Sequence, residues 1–257
     1  MPLQAQMQAM RQFDLSCRHV EEKALDLNLL PARYCRNRKT ISTSEQRVLF
    51  KSAVAVIGCG GLGGYIIEEI ARLGVGTIRV IDPDIFEEHN LNRQILCTID
   101  QLGKPKVEAA RSRVLAVNPA VWVEPVQASF SAENGTDLLQ GVQAVADALD
   151  SISARRVLAD ICEAMNLPLI HGSVGGWYGQ MTTQMPGDGS IRKIYGACQS
   201  QEGLEKTLGN PSYTPAVVAS LEVAELSKIL LGYGTSLQKR LLSIDLRDMA
   251  FDTIAIP

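Results

Sequence analysis

Short β-branched runs alternate with amphipathic stretches through the middle of the chain. Ala53–Ile57 (AVAVI) is an unbroken apolar run ending in a glycine cluster, as a strand buried on both faces would be. Residues 62–73 follow with Leu62, Ile66, Ile70 and Leu73 on one helical stripe. Thr77–Ile81 reads as a second strand, and 104–117 as a helix stopped by Asn118-Pro119. Residues 121–126, 144–148 and 168–170 read as further strands, with a helix over 153–165 between the last two. Strands separated by helices demand crossover connections. They predict an α/β fold with a Rossmann-like, doubly wound, mainly parallel sheet. Beyond Gly172 a glycine-rich stretch leads to a helix over 215–231, and strand-like pieces at 241–246 and 251–256 predict antiparallel strands at the sheet edge. Residues 1–48 are polar, helix-prone and broken by Pro31, which predicts a helical N-terminal arm ahead of a main unit over 49–257.

Composition narrows the function classes. Hydrophobic residues make up 46% and charged residues 21%, enough for a real core and against disorder. The net charge of −3 supplies no basic excess for a phosphate backbone, so nucleic acid is not expected as a partner. No apolar run approaches the ~20 residues needed to span a bilayer, and the N-terminus lacks the apolar stretch of a signal peptide. The expectation is a soluble, cytoplasmic protein with no membrane partner. Cys17, Cys35, Cys59, Cys97, Cys162 and Cys198 make no C-x-x-C pair, which argues for reduced thiols and against a cysteine zinc site.

The glycines after the first strand carry the strongest signal. Gly58, Gly60 and Gly63 satisfy G-x-G-x-x-G between a strand and a helix, with Gly61 inside the turn. The spacing gives a tight turn, a close backbone approach to phosphate and a helix packed hard on its strand. Asp82 closes the second strand about 20 residues further on, where a carboxylate can accept ribose hydroxyls. A nucleotide site follows, and the turn alone leaves NAD and ATP open.

The cations lean toward ATP. Asp84, Asn90, Arg93 and Gln94 crowd behind Asp82, and Lys106 follows in GKPK. A dinucleotide's pyrophosphate rests on backbone amides, whereas a triphosphate under attack gathers charge that Arg, Lys and Mg²⁺ clamp. Asp150 ends the 144–150 stretch on the ligand side of a parallel sheet and suits a Mg²⁺ that keeps most of its waters. Asp150 or Ser151 would equally cap the next helix.

These stretches resemble the ThiF/MoeB/HesA family, bacterial relatives of ubiquitin-activating enzymes. The matches are RYCRN, SAVAVIGCGGLGG, ARLGVGTIRVIDPD, NLNRQ, GKPKVEAAR, DALDSISARR, PLIHGSVGGWYGQ and TPAVVASLEVAELSKILLG, and they extend over nearly all of the chain beyond residue 30. The resemblance implies ATP-dependent adenylation of the C-terminal glycine of a small ubiquitin-like sulfur carrier ending in Gly-Gly. The pathways implied are molybdenum or tungsten cofactor, thiamin, or related sulfur-transfer biosynthesis. It implies a nucleotide-binding half over 49–171 and a carrier-binding and crossover half over 172–257. Gly61 would lie against the nucleotide, Asp82 would hold the ribose, Asn90, Arg93 and Lys106 would face the phosphates, and Asp150 would serve Mg²⁺. Arg36, in RYCRN, would reach the partner's ATP across a homodimer. The glycine stretch over 172–179 would line the passage for the carrier's tail.

The chain departs from the family at its zinc pairs, retaining Cys198 in the first region and no cysteine in the second, so no zinc is expected. Cys198 stands where some relatives carry a reactive thiol, and Cys59 reads as a small packing residue. His171 reads either as a ligand contact or as a hydrogen-bonded core histidine. Three other readings stand beside adenylation of a carrier: a relative that cyclises a tRNA modification, an NAD-dependent dehydrogenase, and a non-catalytic dimeric scaffold.

Overall fold

In the computed structural model, residues 1–196 and 205–257 are described. The sheet holds eight strands: β1 (Ala53–Ile57), β2 (Thr77–Ile81), β3 (Trp122–Val126), β4 (Ala144–Asp147), β5 (Leu169–Gly175), β6 (Tyr178–Gln184), β7 (Arg240–Asp245) and β8 (Ala250–Ala255). Their order is β3-β2-β1-β4-β5-β6-β7-β8. The first five are parallel and the rest antiparallel, with Val56 of β1 beside Val80 of β2 and Ala146 of β4.

The helices are α1 (Leu3–Phe13), α2 (Cys17–Asp26), α3 (Thr43–Lys51), α4 (Gly61–Leu73), α5 (Lys106–Val117), α6 (Gly135–Leu138), α7 (Ile152–Ala164), α8 (Ser190–Tyr195), α9 (Glu205–Leu208) and α10 (Tyr213–Leu231). Strand periodicity explains the layers. Val54 and Val56 join Ile66, Ile70, Val114 and Val218 in one core. Ala55 and Ile57, one residue out of step, join Leu158, Cys162 and Ile191 in the other. A continuous apolar strand is what two covered faces require. The chain runs outward from β1 in both directions, to β2 and to β4, and that reversal opens a crevice at the carboxyl ends of these strands.

The predicted parallel strands and antiparallel edge are present, and one strand was not anticipated. The stretch over 172–179 is a hairpin: β5 continues to Gly175, the chain turns at Gly176 (φ 58°), and β6 starts at Tyr178. Its sequence YGQMTTQ is polar yet largely buried, with Thr182 and Thr183 wholly so. Burial of hydroxyl residues removes the apolar alternation that marks a strand. The hairpin joins β4 to β7, so the glycines over 172–179 act first as sheet residues.

The N-terminal residues form α1 to α3. The α3 start is fixed by a capping box between Ser42 and Glu45. Arg33 donates to Glu21 Oε2 at 2.7 Å and to Asn118 Oδ1 at 2.6 Å, while Tyr34 donates to Glu21 at 2.7 Å. This buried network ties the N-terminal segment to the turn before β3.

Candidate functional site

The crevice at the β1–β4 reversal is a cavity of about 640 Å³ lined by residues from both sides of the glycine turn. Gly58 takes a φ of 103°, and a Cβ there would meet the Ala148 carbonyl at 2.5 Å. Gly60 stands at the N-cap of α4 with no side-chain cap. The first amides of that helix therefore face the cavity unpartnered by any cap, a ready anion site. Gly61 also lines the cavity, whereas Gly63 lies beneath the turn and holds α4 against it.

Asp82 is fixed by two amides, Cys59 N to Oδ2 at 2.6 Å and Asp84 N to Oδ1 at 2.8 Å. Burial raises its pKa, against the lowering effect of these bonds and of Lys106. A carboxylate has about four lone-pair sites, so capacity remains for ribose hydroxyls. Asp84 lies behind it and takes the charge of Lys106, whose Nζ is 2.9 Å from Asp84 Oδ2. Lys106 opens α5 directly after Pro105, and Ile85 bridges to Pro105, which carries the lysine to the cavity wall.

Asn90, Arg93 and Gln94 line the same wall. Asn90 accepts the Glu87 amide at 3.0 Å and is buried. Arg93 donates from Nη1 to the His89 carbonyl at 3.1 Å and to Asn92 Oδ1 at 2.9 Å. Gln94 is buried against Gly60, and its Oε1 has no partner. On the β4 side, Ser151 rather than Asp150 caps α7, accepting the Ala154 amide at 3.4 Å. Asp150 is thereby left exposed on the cavity wall.

The cavity thus collects Gly58, Gly60, Gly61, Asp82, Asp84, Asn90, Arg93, Gln94, Lys106 and Asp150. It does not collect Arg36, which is exposed on the N-terminal segment. Cys198 lies outside the described residues. Cys59 is wholly buried and its thiol pKa is pushed well up by that burial, as expected of a packing residue. His171 is a core histidine, bonded to Asp147 and Tyr195. Arg155, Asn210 and Pro215 also line the cavity and were not singled out from sequence. Arg155 stands within the DALDSISARR stretch, one turn into α7, so the motif held the signal. Pro215 reaches the cavity on α10, which packs beside α4, and the Asn210 carbonyl accepts from Asn92 Nδ2 at 3.1 Å. At the hairpin tip, Trp177 lies on Tyr213 with ring centroids 4.7 Å apart, and both are partly exposed.

The donor set fits ATP with its Mg²⁺. The uncapped start of α4, Lys106 and Arg93 all line the cavity, and a Cβ on Gly61 would lie 4.0 Å from the Arg93 side chain. Among the described residues no group of three or more His, Cys, Asp or Glu is placed to hold a metal ion. A single carboxylate such as Asp150 suits a Mg²⁺ carried in on phosphate oxygens. No helix among the described residues is long and apolar enough to cross a membrane.

The ThiF family model matches residues 34–257. The chain is 35% identical over 226 residues to the SAMP-activating enzyme E1 of Haloferax volcanii, covering 86% of this chain and 84% of that protein. It is 30% identical over 235 residues to the sulfur carrier protein adenylyltransferase of Thermus thermophilus, covering 84% and 83%. Among solved structures, E. coli MccB with MccA-N7isoASN superposes with a TM-score of 0.76 at 21% identity, covering 88% of this chain and 71% of that one. That likeness shows the fold.

Proposed function

The chain belongs to the ThiF family, and from that premise we propose that this adenylyltransferase activates the C-terminal carboxylate of a small ubiquitin-like sulfur carrier ending in Gly-Gly. The observation that carries the reading is the cavity at the sheet's reversal, with Lys106 and Arg93 on its β2 side and Asp150 on its β4 side. A site for NAD has no call for that pairing of cations and acid around its phosphates.

The carrier's carboxylate is ionised at neutral pH, so the reaction needs no general base. A carboxylate oxygen attacks the α-phosphorus of ATP as the bond to the bridging oxygen of the β-phosphate breaks. The products are the acyl-adenylate and pyrophosphate. Charge moves onto the departing pyrophosphate, and the helix α4 amides, Lys106 and Arg93 supply the compensating field. Asp82 orients the ribose, and Asn90 and Gln94 complete the wall near the phosphates. Asp150 would hold a Mg²⁺ carried in on the phosphates, and that ion would supply further charge neutralisation there.

Asp84 holds Lys106 at 2.9 Å, which aims its ammonium along the cavity wall. The exposed Trp177–Tyr213 pair beside Pro215 offers an apolar rim for the carrier, whose glycine tail is thin enough to enter the cavity. Arg36 completes a second subunit's site in a homodimer. The setting proposed is cytoplasmic sulfur transfer for molybdenum or tungsten cofactor, thiamin or a related product.

Incubation with ATP, Mg²⁺ and a Gly-Gly-ended carrier tests the reading by intact mass. A carrier heavier by one AMP group is expected. An unmodified carrier from protein that binds ATP would contradict it.

A further inference from the structure

Beside the Asp150 wall lies a buried polar chain that the proposed chemistry does not use. Asp147 closes β4 and is wholly buried. Its Oδ1 accepts the Leu149 amide at 2.9 Å, and its Oδ2 lies 2.7 Å from Nδ1 of His171 on β5. His171 is equally buried, and its Nε2 lies 2.9 Å from the hydroxyl of Tyr195 at the end of α8. Burial lowers the imidazole pKa against the opposing pull of Asp147, which favours the neutral ring. A neutral ring facing a carboxylate carries its proton on Nδ1, and Nε2 then accepts from Tyr195. The tyrosine oxygen in turn accepts from Gln180 Nε2 at 3.1 Å.

Arg155 closes the circuit. It donates to the Leu149 carbonyl from Nε at 3.1 Å and from Nη2 at 2.6 Å. The same guanidinium approaches Asp147 Oδ2 at 4.0 Å and lies over the Tyr195 ring, 5.9 Å from its centroid. Just before, the Ala148 amide donates to Ile57 at 2.9 Å. Both polar groups of the Leu149 backbone are therefore held from below, and the next residue is Asp150.

We propose that the buried Asp147–His171–Tyr195 chain, together with Arg155, positions the Leu149–Asp150 peptide and thereby aims the Asp150 carboxylate into the cavity. Among the described residues no side chain holds Asp150 itself, so its placement rests on this backbone. His171 is a positioning residue: it touches neither nucleotide nor metal and acts through Asp147. The inference rests on the reading of Asp150 as the carboxylate that serves Mg²⁺.

The test is the Mg²⁺ dependence of ATP binding, followed by calorimetry with MgCl₂ and ATP and requiring no carrier. Wild type is compared with Asp150→Asn, His171→Leu and His171→Asn. The leucine removes the donor to Asp147, whereas the asparagine side-chain amide can restore it. His171→Leu is expected to raise the Mg²⁺ concentration for half-maximal binding by roughly 10-fold, the low end for groups that orient a metal's carboxylate. His171→Asn is expected to recover most of that shift. In an Asp150→Asn background neither change should add anything further. A shift of equal size in both backgrounds, or no rescue by asparagine, would overturn the positioning role. A wild-type Mg²⁺ response from Asp150→Asn would instead overturn the reading of Asp150, and the inference with it. Should His171→Leu fail to fold, Tyr195→Phe orphans the ring acceptor without emptying the core. A wild-type Mg²⁺ response from that variant overturns the proposal.

Discussion

Gly63 packs so closely under the glycine turn that a Cβ on it would lie 1.8 Å from the carbonyl oxygen of Gly58. At Gly60 the nearest atom to an added Cβ is Gln94 Nε2, at 3.7 Å. Two glycines of one motif thus serve different needs, and alanine separates them. Gly63→Ala is expected to prevent stable folding, because the clash is with backbone. Gly60→Ala is expected to fold with nearly the wild-type Tm and to lose ATP affinity, since its methyl enters the space required by phosphate. Thermal melts and ATP titrations of the two variants check this contrast.

The lysine behind Asp84 makes a narrower prediction. A preorganised donor aimed at developing charge is worth roughly 10²–10³ in turnover. Lys106→Met should lose rate on that scale. Its affinity for AMP, which lacks the β- and γ-phosphates, should stay close to that of wild type. Adenylation kinetics and AMP binding measured on the same preparation provide the check.

Glu222 supplies a pH signature. It is buried on α10, neither carboxylate oxygen has a partner, and a Cβ on Gly172 would lie 2.6 Å from its carboxyl carbon. Burial pushes its pKa well above the usual carboxylate range, Asp147 pushes the same way, and Arg155 opposes. The folded state therefore keeps this proton to higher pH than the unfolded chain does. Stability falls as pH rises from the unfolded value of about 4.5 toward the raised folded one. Above that window the penalty is constant. Glu222→Gln removes the ionisation at equal size. It is expected to raise Tm at neutral pH by several degrees, at about 2–4 °C per kcal/mol for a chain of this length, and to flatten this part of the pH profile.

Much of this site can be located from sequence because it is built from contiguous stretches. The glycine turn and Asp82 are local signals, and Arg93 and Lys106 lie close behind them along the chain. Asp150 could be placed at a strand end, but its competition with Ser151 for the helix cap could not be decided until the serine hydroxyl was seen to accept the Ala154 amide. The β6 strand was missed because its buried positions are threonines and glutamines. Their partners, Leu237 and Arg240 carbonyls for Thr182 and the Glu225 carboxylate for Thr183, come from distant parts of the chain. The Asp147–His171–Tyr195 chain was illegible for the same reason, since three separate elements contribute one residue each.

The proposed homodimer has its own test in complementation. If Arg36 acts on the partner's nucleotide, Arg36→Ala and Asp150→Ala should each be inactive alone. Mixed and allowed to exchange subunits, they should regain activity, because the Arg36→Ala cleft keeps Asp150 and receives the other subunit's Arg36. Rates measured on the two variants separately and after mixing check this. A mixture as inactive as its components would contradict action across the dimer.

ATP–pyrophosphate exchange, measured with Mg²⁺ and a panel of Gly-Gly-ended ubiquitin-like carriers, tests the central claim most directly. The account predicts label exchange into ATP that requires a carrier with a free C-terminal glycine and disappears in Asp150→Ala. Exchange that proceeds without any carrier, or none with any carrier from protein shown to bind ATP, would contradict it.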